Sequence, residues 1–179
     1  DGKLIAEKAF DTEWCQHEAL GLAALKGKLY ASMFYEDKIV VVSAETGEVT
    51  GEIALPAPAG LAADGKRLLA ISGNRVVALD PDTRAVTPVV ATGLAAPIGL
   101  PVDRQDNIYV SDWKDQMCVK VFSPDGKPLR KVGKLAGRPL KGRYEPDGMF
   151  RPRGLTVDDR GRLWVAEYDY SPKRISVWD

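Results

Sequence analysis

One short phrase occurs four times in this chain, each copy opening on Gly-Leu and continuing in runs of β-branched and aromatic residues between turns. That pattern predicts an all-β fold, a β-propeller of four-stranded antiparallel blades. The phrase opens at Gly21, Gly60, Gly99 and Gly154, spaced 39, 39 and 55 residues, so a 16-residue insertion precedes the fourth copy. Helical periodicity is absent, and about 40 residues hold four strands with their turns. A plain β-sandwich would show regular turn signals but not this phased recurrence.

Within each copy the elements follow one order. The first strand is the Gly-Leu segment itself, "GLAAD", "GLPVD" and "GLTVD" in the last three copies, leading to turns at Asp64-Gly65, Asp106-Asn107 and Arg160-Gly161. In the first copy Leu25 replaces the Asp. The second strand, such as "NIYVSD" or "RLWVAE", has the β-branched and aromatic residues that suit a pleated surface. A variable loop precedes the third, "KIVVV", "RVVAL", "VKVF" and "RISVW". The turns "AETGE", "DPDTR" and "SPDGK" then lead to a more polar fourth strand, "EVTGEI", "AVTPVV" and "PLRKV". Pro88 lies in one of these, which places that strand at a sheet edge.

The 179 residues suffice for one domain, or one segment of a propeller, spanning 1–179. A hydrophobic content of 45% and a charged content of 28% exclude a disordered chain. The formal net charge is zero, which argues against nucleic acid as a partner. The acidic first half and basic second half differ mainly through the insertion. Cys15 and Cys118 form no CxxC pattern and lie three repeats apart, so both are expected to be free or buried thiols. No apolar run reaches the roughly 18–20 residues that span a bilayer. Few cysteines and many turn residues suit an extracellular or periplasmic protein, with a cytoplasmic address as the alternative.

The third copy, "IYVSDWKDQMCVKVFSPDGKPL", resembles the NHL repeat, in which a strand ending in Asp leads through a polar loop to a V-F-x-P-D-G hairpin. "GLTVDDRGRLWVAE" with "RISVWD" resembles it nearly as well, and the first two copies less so, Ser72 standing where the second has lost its strand-end Asp. The resemblance extends from about residue 20 to 179 and includes gluconolactonase-like propellers. It implies fold more than function, because the family spans sensors, scaffolds and enzymes. It also implies rings of about six blades, of which four repeats would be a part.

Residues 1–10, "DGKLIAEKAF", match "PDGKPLRKVG" in phase and are expected to be the outer strand of a preceding or closing blade. A closed four-bladed ring, a segment of a larger ring, and self-association of two copies into eight blades all fit this phase.

Function in a propeller is expected on the face shared by the second-to-third-strand loops and the connections between blades. Here those loops offer Tyr35, Glu36, Trp113, Lys114, Tyr168 and Tyr170 as ligand-binding candidates, with Asp37, Asp115 and Asp169 beside them. Rings supply contact area and charged groups supply orientation. Met33, Ser72, Asp112 and Glu167 fall at equivalent ends of the second strands. The gluconolactonase resemblance implies a channel cation, calcium or another divalent ion, for which Asp112, Glu167 and Asn74 are the candidates. The alternative for a strand-end acid is to hold its own loop by hydrogen bonds. His17, the only histidine, lies beside Trp14 and Cys15 and is expected to pack rather than react. GxSxG, P-loop and HExxH motifs are absent.

The insertion, Gly133 to Gly154, has six cations against Glu145 and Asp147. Arg138, Lys141, Arg143 and Arg151, with Tyr144 and Phe150 interleaved, are candidates for an anionic partner. The plainer expectation is a long connection, "FRPRGL" leading into the fourth blade. The pattern therefore favours a non-catalytic binding or scaffold module for a protein or glycan, with no cofactor. A metal-dependent lactonase- or hydrolase-like propeller enzyme is the alternative.

Overall fold

A computed structural model describes residues 19–141, 143–168 and 172–179. The expected strand at 1–10, together with Cys15, His17, Asp169 and Tyr170, lies outside these. The described chain forms four antiparallel sheets in sequence order, one per copy of the phrase. The first holds β1 (Ala19–Leu25), β2 (Lys28–Met33), β3 (Lys38–Ser43) and β4 (Val49–Ala54). The second holds β5 (Pro58–Ala63), β6 (Leu68–Ser72), β7 (Arg75–Leu79) and β8 (Val86–Val90). The third is β9 (Ile108–Asp112), β10 (Cys118–Phe122) and β11 (Pro128–Val132), and the fourth is β12 (Pro152–Val157), β13 (Leu163–Glu167) and β14 (Ile175–Trp178). Pro88 lies in β8, at the edge of its sheet as expected.

The third sheet lacks a regular first strand because Pro97 and Pro101 have no N–H to give a ladder. What remains there is a pair of isolated bridges, Pro97 to Asp112 and Val102 to Ile108. Backbone bonds from Ile98 N–H to Ser111 O and from Ser111 N–H to Gly99 O keep the segment in place. The other three first strands each shift register just before or across the Gly-Leu pair.

The core lies between the sheets, as blade stacking requires, so each inner sheet is buried on both faces. Tyr30, Ile39 and Val41 of blade 1 pack on Leu61, Leu68 and Val77 of blade 2. Leu69, Ile71 and Val76 meet Leu100, Ile108 and Val110 at the next junction. Tyr109, Val119 and Val121 meet Leu163 and Val165 at the third. Cys118 is a free, fully buried thiol, pushed up in pKa by that burial.

The repeated Gly is where adjacent blades come closest. A Cβ on Gly21 would lie 2.4 Å from Ala59 O, one on Gly60 2.6 Å from Ile98 O, and one on Gly99 2.3 Å from Arg153 O. Each of those carbonyls belongs to the residue just before the next Gly-Leu, and each accepts a hydrogen bond across the junction. Ser32 Oγ donates to Ala59 O at 2.7 Å, Gly60 N–H to Ile98 O at 3.0 Å, and Ser111 Oγ to Arg153 O at 3.4 Å. Glycine is required there because backbone meets backbone, not because φ is unusual.

The Asp that closes the first-strand phrase shapes the hairpin that follows. Asp64, Asp103 and Asp158 each accept backbone N–H groups two to four residues on, folding the turn around one carboxylate. Asp158 also accepts from Trp164 Nε1 at 2.9 Å and Arg162 Nε at 2.8 Å, which holds its pKa well below the ordinary value. In the first copy, where Leu25 stands instead, a two-residue turn does the work, with Lys26 and Gly27 both at positive φ.

Gly99→Ala is expected to destabilise the fold by about 1–3 kcal/mol through overpacking, read as a lower urea midpoint with unchanged slope. Asp158 has a depressed folded-state pKa, so its contribution is present above the ordinary value of 3.8 and lost as pH falls through the folded value. Asp158→Asn should therefore lower the melting temperature at pH 7, and its deficit against the wild type should shrink steadily in melts taken below that value.

Candidate functional site

The second-to-third-strand loops and the interblade connections share one face, as expected. Leu55 N–H donates to Asp37 O, Trp113 N–H to Ala96 O, Ala136 N–H to Gln116 O and Tyr168 N–H to Arg151 O. Each bond ties a loop to a connection of its own face.

Met33, Ser72, Asp112 and Glu167 end β2, β6, β9 and β13, as their phase predicted. Their side chains do different things. Met33 is buried in an apolar cluster with Val40 and Val42. Ser72 Oγ donates to Pro56 O at 2.8 Å. Asp112 is fully buried and accepts from Ala95 N–H at 3.0 Å, from Ala96 N–H at 2.7 Å and from Lys120 Nζ at 2.7 Å. Lys120 also donates to Gly93 O at 2.5 Å, so one ion pair closes the connection over residues 93–96. Glu167 Oε2 accepts from Phe150 N–H at 2.7 Å and Arg138 Nη2 at 3.0 Å, and Oε1 accepts from Arg174 Nε. Arg174 reaches on to Tyr144 Oη at 2.7 Å and Pro146 O at 3.0 Å.

The expected cation ligands are thus occupied by cationic side chains and backbone N–H groups. Asn74 is exposed in the two-residue turn between β6 and β7. Among the described residues no group of three His, Cys, Asp or Glu side chains is placed to hold a metal ion. The arrangement suits the alternative weighed above, in which the strand-end acid holds its connection.

The insertion is folded rather than a loose basic loop. Lys134 N–H donates to Asp147 O, Arg138 N–H to Met149 O, and Lys134 pairs with Glu145. Arg138, expected to meet an anionic partner, is instead buried against Glu167, because a carboxylate from the fourth blade neutralises it inside the protein. Lys141, Arg143 and Arg151 remain exposed. Of the two interleaved rings Tyr144 is exposed beside them, as is Leu140, whereas Phe150 is buried.

Of the expected ligand residues, two come together across blades. The rings of Trp113 and Tyr168 lie 6.3 Å apart at 31°, and the Arg153 guanidinium sits 5.1 Å from the Tyr168 ring centre. Trp113 Nε1 donates to Pro152 O at 2.6 Å, which fixes its ring against the first strand of blade 4. Tyr168 is 57% exposed, and Lys114 stands exposed at positive φ beside Trp113. Tyr35 and Glu36 belong to a short 3-10 turn in blade 1, where Tyr35 packs edge-on to Phe34 and Glu36 pairs with Lys38. They form no part of the Trp113–Tyr168 cluster. Arg153 was not among the expected binding residues; its place two residues beyond a Pro-flanked Arg151 carried no signal of a ring partner in the next loop.

A cleft of about 760 Å³ opens elsewhere, between blades 2 and 3. It is lined by Thr92, Phe122, Leu129 and Lys131, with Lys120 engaged by Asp112 at one side. None of the loop-face aromatics lines it. Among the described residues no helix is long and apolar enough to cross a membrane.

No family model matches the chain, and no curated protein matches it. Solved structures do. The chain is similar to hydrazine synthase of Kuenenia stuttgartiensis, with a TM-score of 0.70 at 17% identity, covering 99% of this chain and 49% of that one. It is similar to a chain of a nidogen–laminin complex, with a TM-score of 0.65 at 24% identity, covering 89% and 64%. It is also similar to virginiamycin B lyase from Staphylococcus aureus, with a TM-score of 0.66 at 14% identity, covering 96% and 58%. The chain spans less than two thirds of the length of each. At these identities the likeness establishes a β-propeller fold.

Lys120→Met removes one partner of a buried pair and should destabilise by about 3–5 kcal/mol, whereas Lys120→Met with Asp112→Asn, which removes the unpaired charge but keeps an acceptor for Ala95 and Ala96 N–H, should recover part of that loss. Thermal melts of the three proteins, each with and without added calcium, check both this and the cation expectation. The acids are expected to give no calcium-dependent rise.

Proposed function

We propose that the chain is a non-catalytic binding module of an NHL-like propeller, which docks a protein partner on the loop face of blades 3 and 4. The observation that carries this reading is the Trp113–Tyr168 pair with Arg153 across two blades. Trp, Tyr and Arg are the residue types that most often dominate protein interfaces, where a pre-set ring loses little freedom on binding. Trp113 is already fixed by its bond to Pro152 O. Exposed Lys114, Lys141, Arg143 and Arg151 surround the pair or lie on the insertion packed beside it, which favours an acidic partner segment. The insertion is held there by Ala136 N–H on Gln116 O and Arg151 N–H on Met117 Sδ.

The test is binding of the purified chain to an immobilised library of acidic, aromatic-containing peptides, with a glycan array and a lactone-hydrolysis assay run in parallel. Peptide binding that weakens with salt is expected, and Trp113→Ala and Tyr168→Ala should each weaken it at least tenfold while Tyr35→Ala leaves it unchanged. Retention of glycans alone would change the partner class. Calcium-dependent lactone hydrolysis abolished by Asp112→Asn would overturn the reading in favour of the enzyme.

A further inference from the structure

The cleft between blades 2 and 3 is a trough of about 760 Å³, within the size range of small-molecule sites. One wall is β8 with the connection that follows it, and the other is β10, β11 and the hairpin between them. Both ends of the trough are fixed. At one, the hairpin presses on β8 so closely that a Cβ on Gly126 would run into Val89 O. Arg67 of blade 2 holds the same hairpin through Pro124 O, at 3.3 and 3.4 Å. At the other, the Asp112–Lys120 pair clamps residues 93–96.

The strand register sorts the side chains along the trough. Lys120 and Lys131 are cross-strand partners and both line it toward the connection. Phe122 and Pro128 are partners further along, and with Leu129 they line it toward the hairpin. Val90, Leu94 and Phe122 are buried and make an apolar floor, whereas Leu129 is 55% exposed at the rim. The trough is thus cationic at one end and apolar at the other. Its charges do not cancel. Lys120 is matched by Asp112, and its ammonium uses two of three N–H groups on Asp112 and Gly93 O. Arg130, which also lines the trough, donates to Asp179 O at 2.6 Å. Lys131 is exposed, and its ammonium enters no ion pair or hydrogen bond among the described residues. The lining includes no acid, and the facing wall, residues 86–96, has no charged residue. Asp125 on the hairpin is paired with Lys127.

We propose that this trough binds a free medium-chain carboxylate, its head at Lys131 and its alkyl chain laid along Leu129 and Phe122 toward the hairpin. The strand from Lys131 to Pro128 covers about 10 Å, which suits an alkyl chain of medium length. Each methylene that leaves water for the apolar floor favours binding, and the single unpaired cation fixes which end of the ligand lies where. A neutral hydrocarbon would leave Lys131 without a partner, and a small anion would leave Leu129 in water. The site is independent of the binding reading, because none of its residues belongs to the Trp113–Tyr168–Arg153 cluster.

The test is titration calorimetry of the chain with decanoate below its micelle concentration, with butyrate and 1-octanol as head-only and tail-only probes. One decanoate per chain is expected, bound at least tenfold more tightly than either smaller probe. Lys131→Glu should weaken decanoate at least tenfold and leave 1-octanol unchanged, while Lys131→Arg should retain decanoate. Leu129→Asn should weaken decanoate and 1-octanol alike. If a variant fails to fold, methyl NMR of the wild type takes its place, with decanoate expected to shift Val90, Leu94 and Leu129. No binding of decanoate overturns the proposal, as does binding that Lys131→Glu and Leu129→Asn both leave intact, since the ligand then sits elsewhere. Equal affinity for decanoate and 1-octanol overturns it too, because the cation then selects nothing. Flotation with anionic phospholipid vesicles without uptake of decanoate overturns it in favour of a membrane surface. Trp113→Ala should leave decanoate binding unchanged, and Lys131→Glu should leave peptide capture at the loop face unchanged, so either site can fail alone.

Discussion

The close approach of backbones at the repeated Gly governs how the blades stack. With no Cβ at Gly21, Gly60 and Gly99, the first strand of one blade comes within van der Waals reach of the carbonyl that precedes the next Gly-Leu pair. That carbonyl loses access to water and must be given a donor. Ser32, Ser111 and the N–H of Gly60 provide it. Further out, where strands diverge, larger residues fill the space: Tyr30, Leu69 and Tyr109 occupy one equivalent position in three successive blades. Close backbone contact near the inner strands and bulky side chains further out together make the wedge that turns a stack of sheets into an arc.

The second constraint is polar. The connections into blades 3 and 4 carry backbone N–H groups that no ladder satisfies, and the acid ending the second strand of each of these blades is placed to meet them. Asp112 and Glu167 do so as carboxylates, and each then requires a cation because it is buried. Lys120 serves the shorter connection. The longer one, with its insertion, takes Arg138 and Arg174, which brace it from two sides. A pattern that resembled a ligand set for calcium is, in this chain, the means by which two loops keep their shape. The rigidity of those loops is what holds Trp113, Tyr168 and Arg153 in one cluster.

Much of the fold was legible because propeller repeats are local. Strand, turn and strand alternate within about 40 residues, and the signals are turn chemistry and period-two patterning. The third, "VKVF", and fourth, "PLRKV", strands of blade 3 emerge as β10 and β11, and Pro88 marked an edge correctly. The pair Trp113 and Tyr168 was legible as two loop aromatics but not as neighbours. Arg138 illustrates the opposite failure, since a cation amid other cations reads as surface until the acid that buries it is located 29 residues away.

By itself the sequence determined the repeat, the order and edges of the strands, and the positions that end them, because each depends on residues close together in the chain. The tertiary structure alone decided which carbonyl each Gly would face, which cation each buried acid would take, and which aromatics would meet. Those outcomes depend on groups that adjacent blades bring together, and a buried charge or an unsatisfied carbonyl is settled by whatever group lies nearest in space.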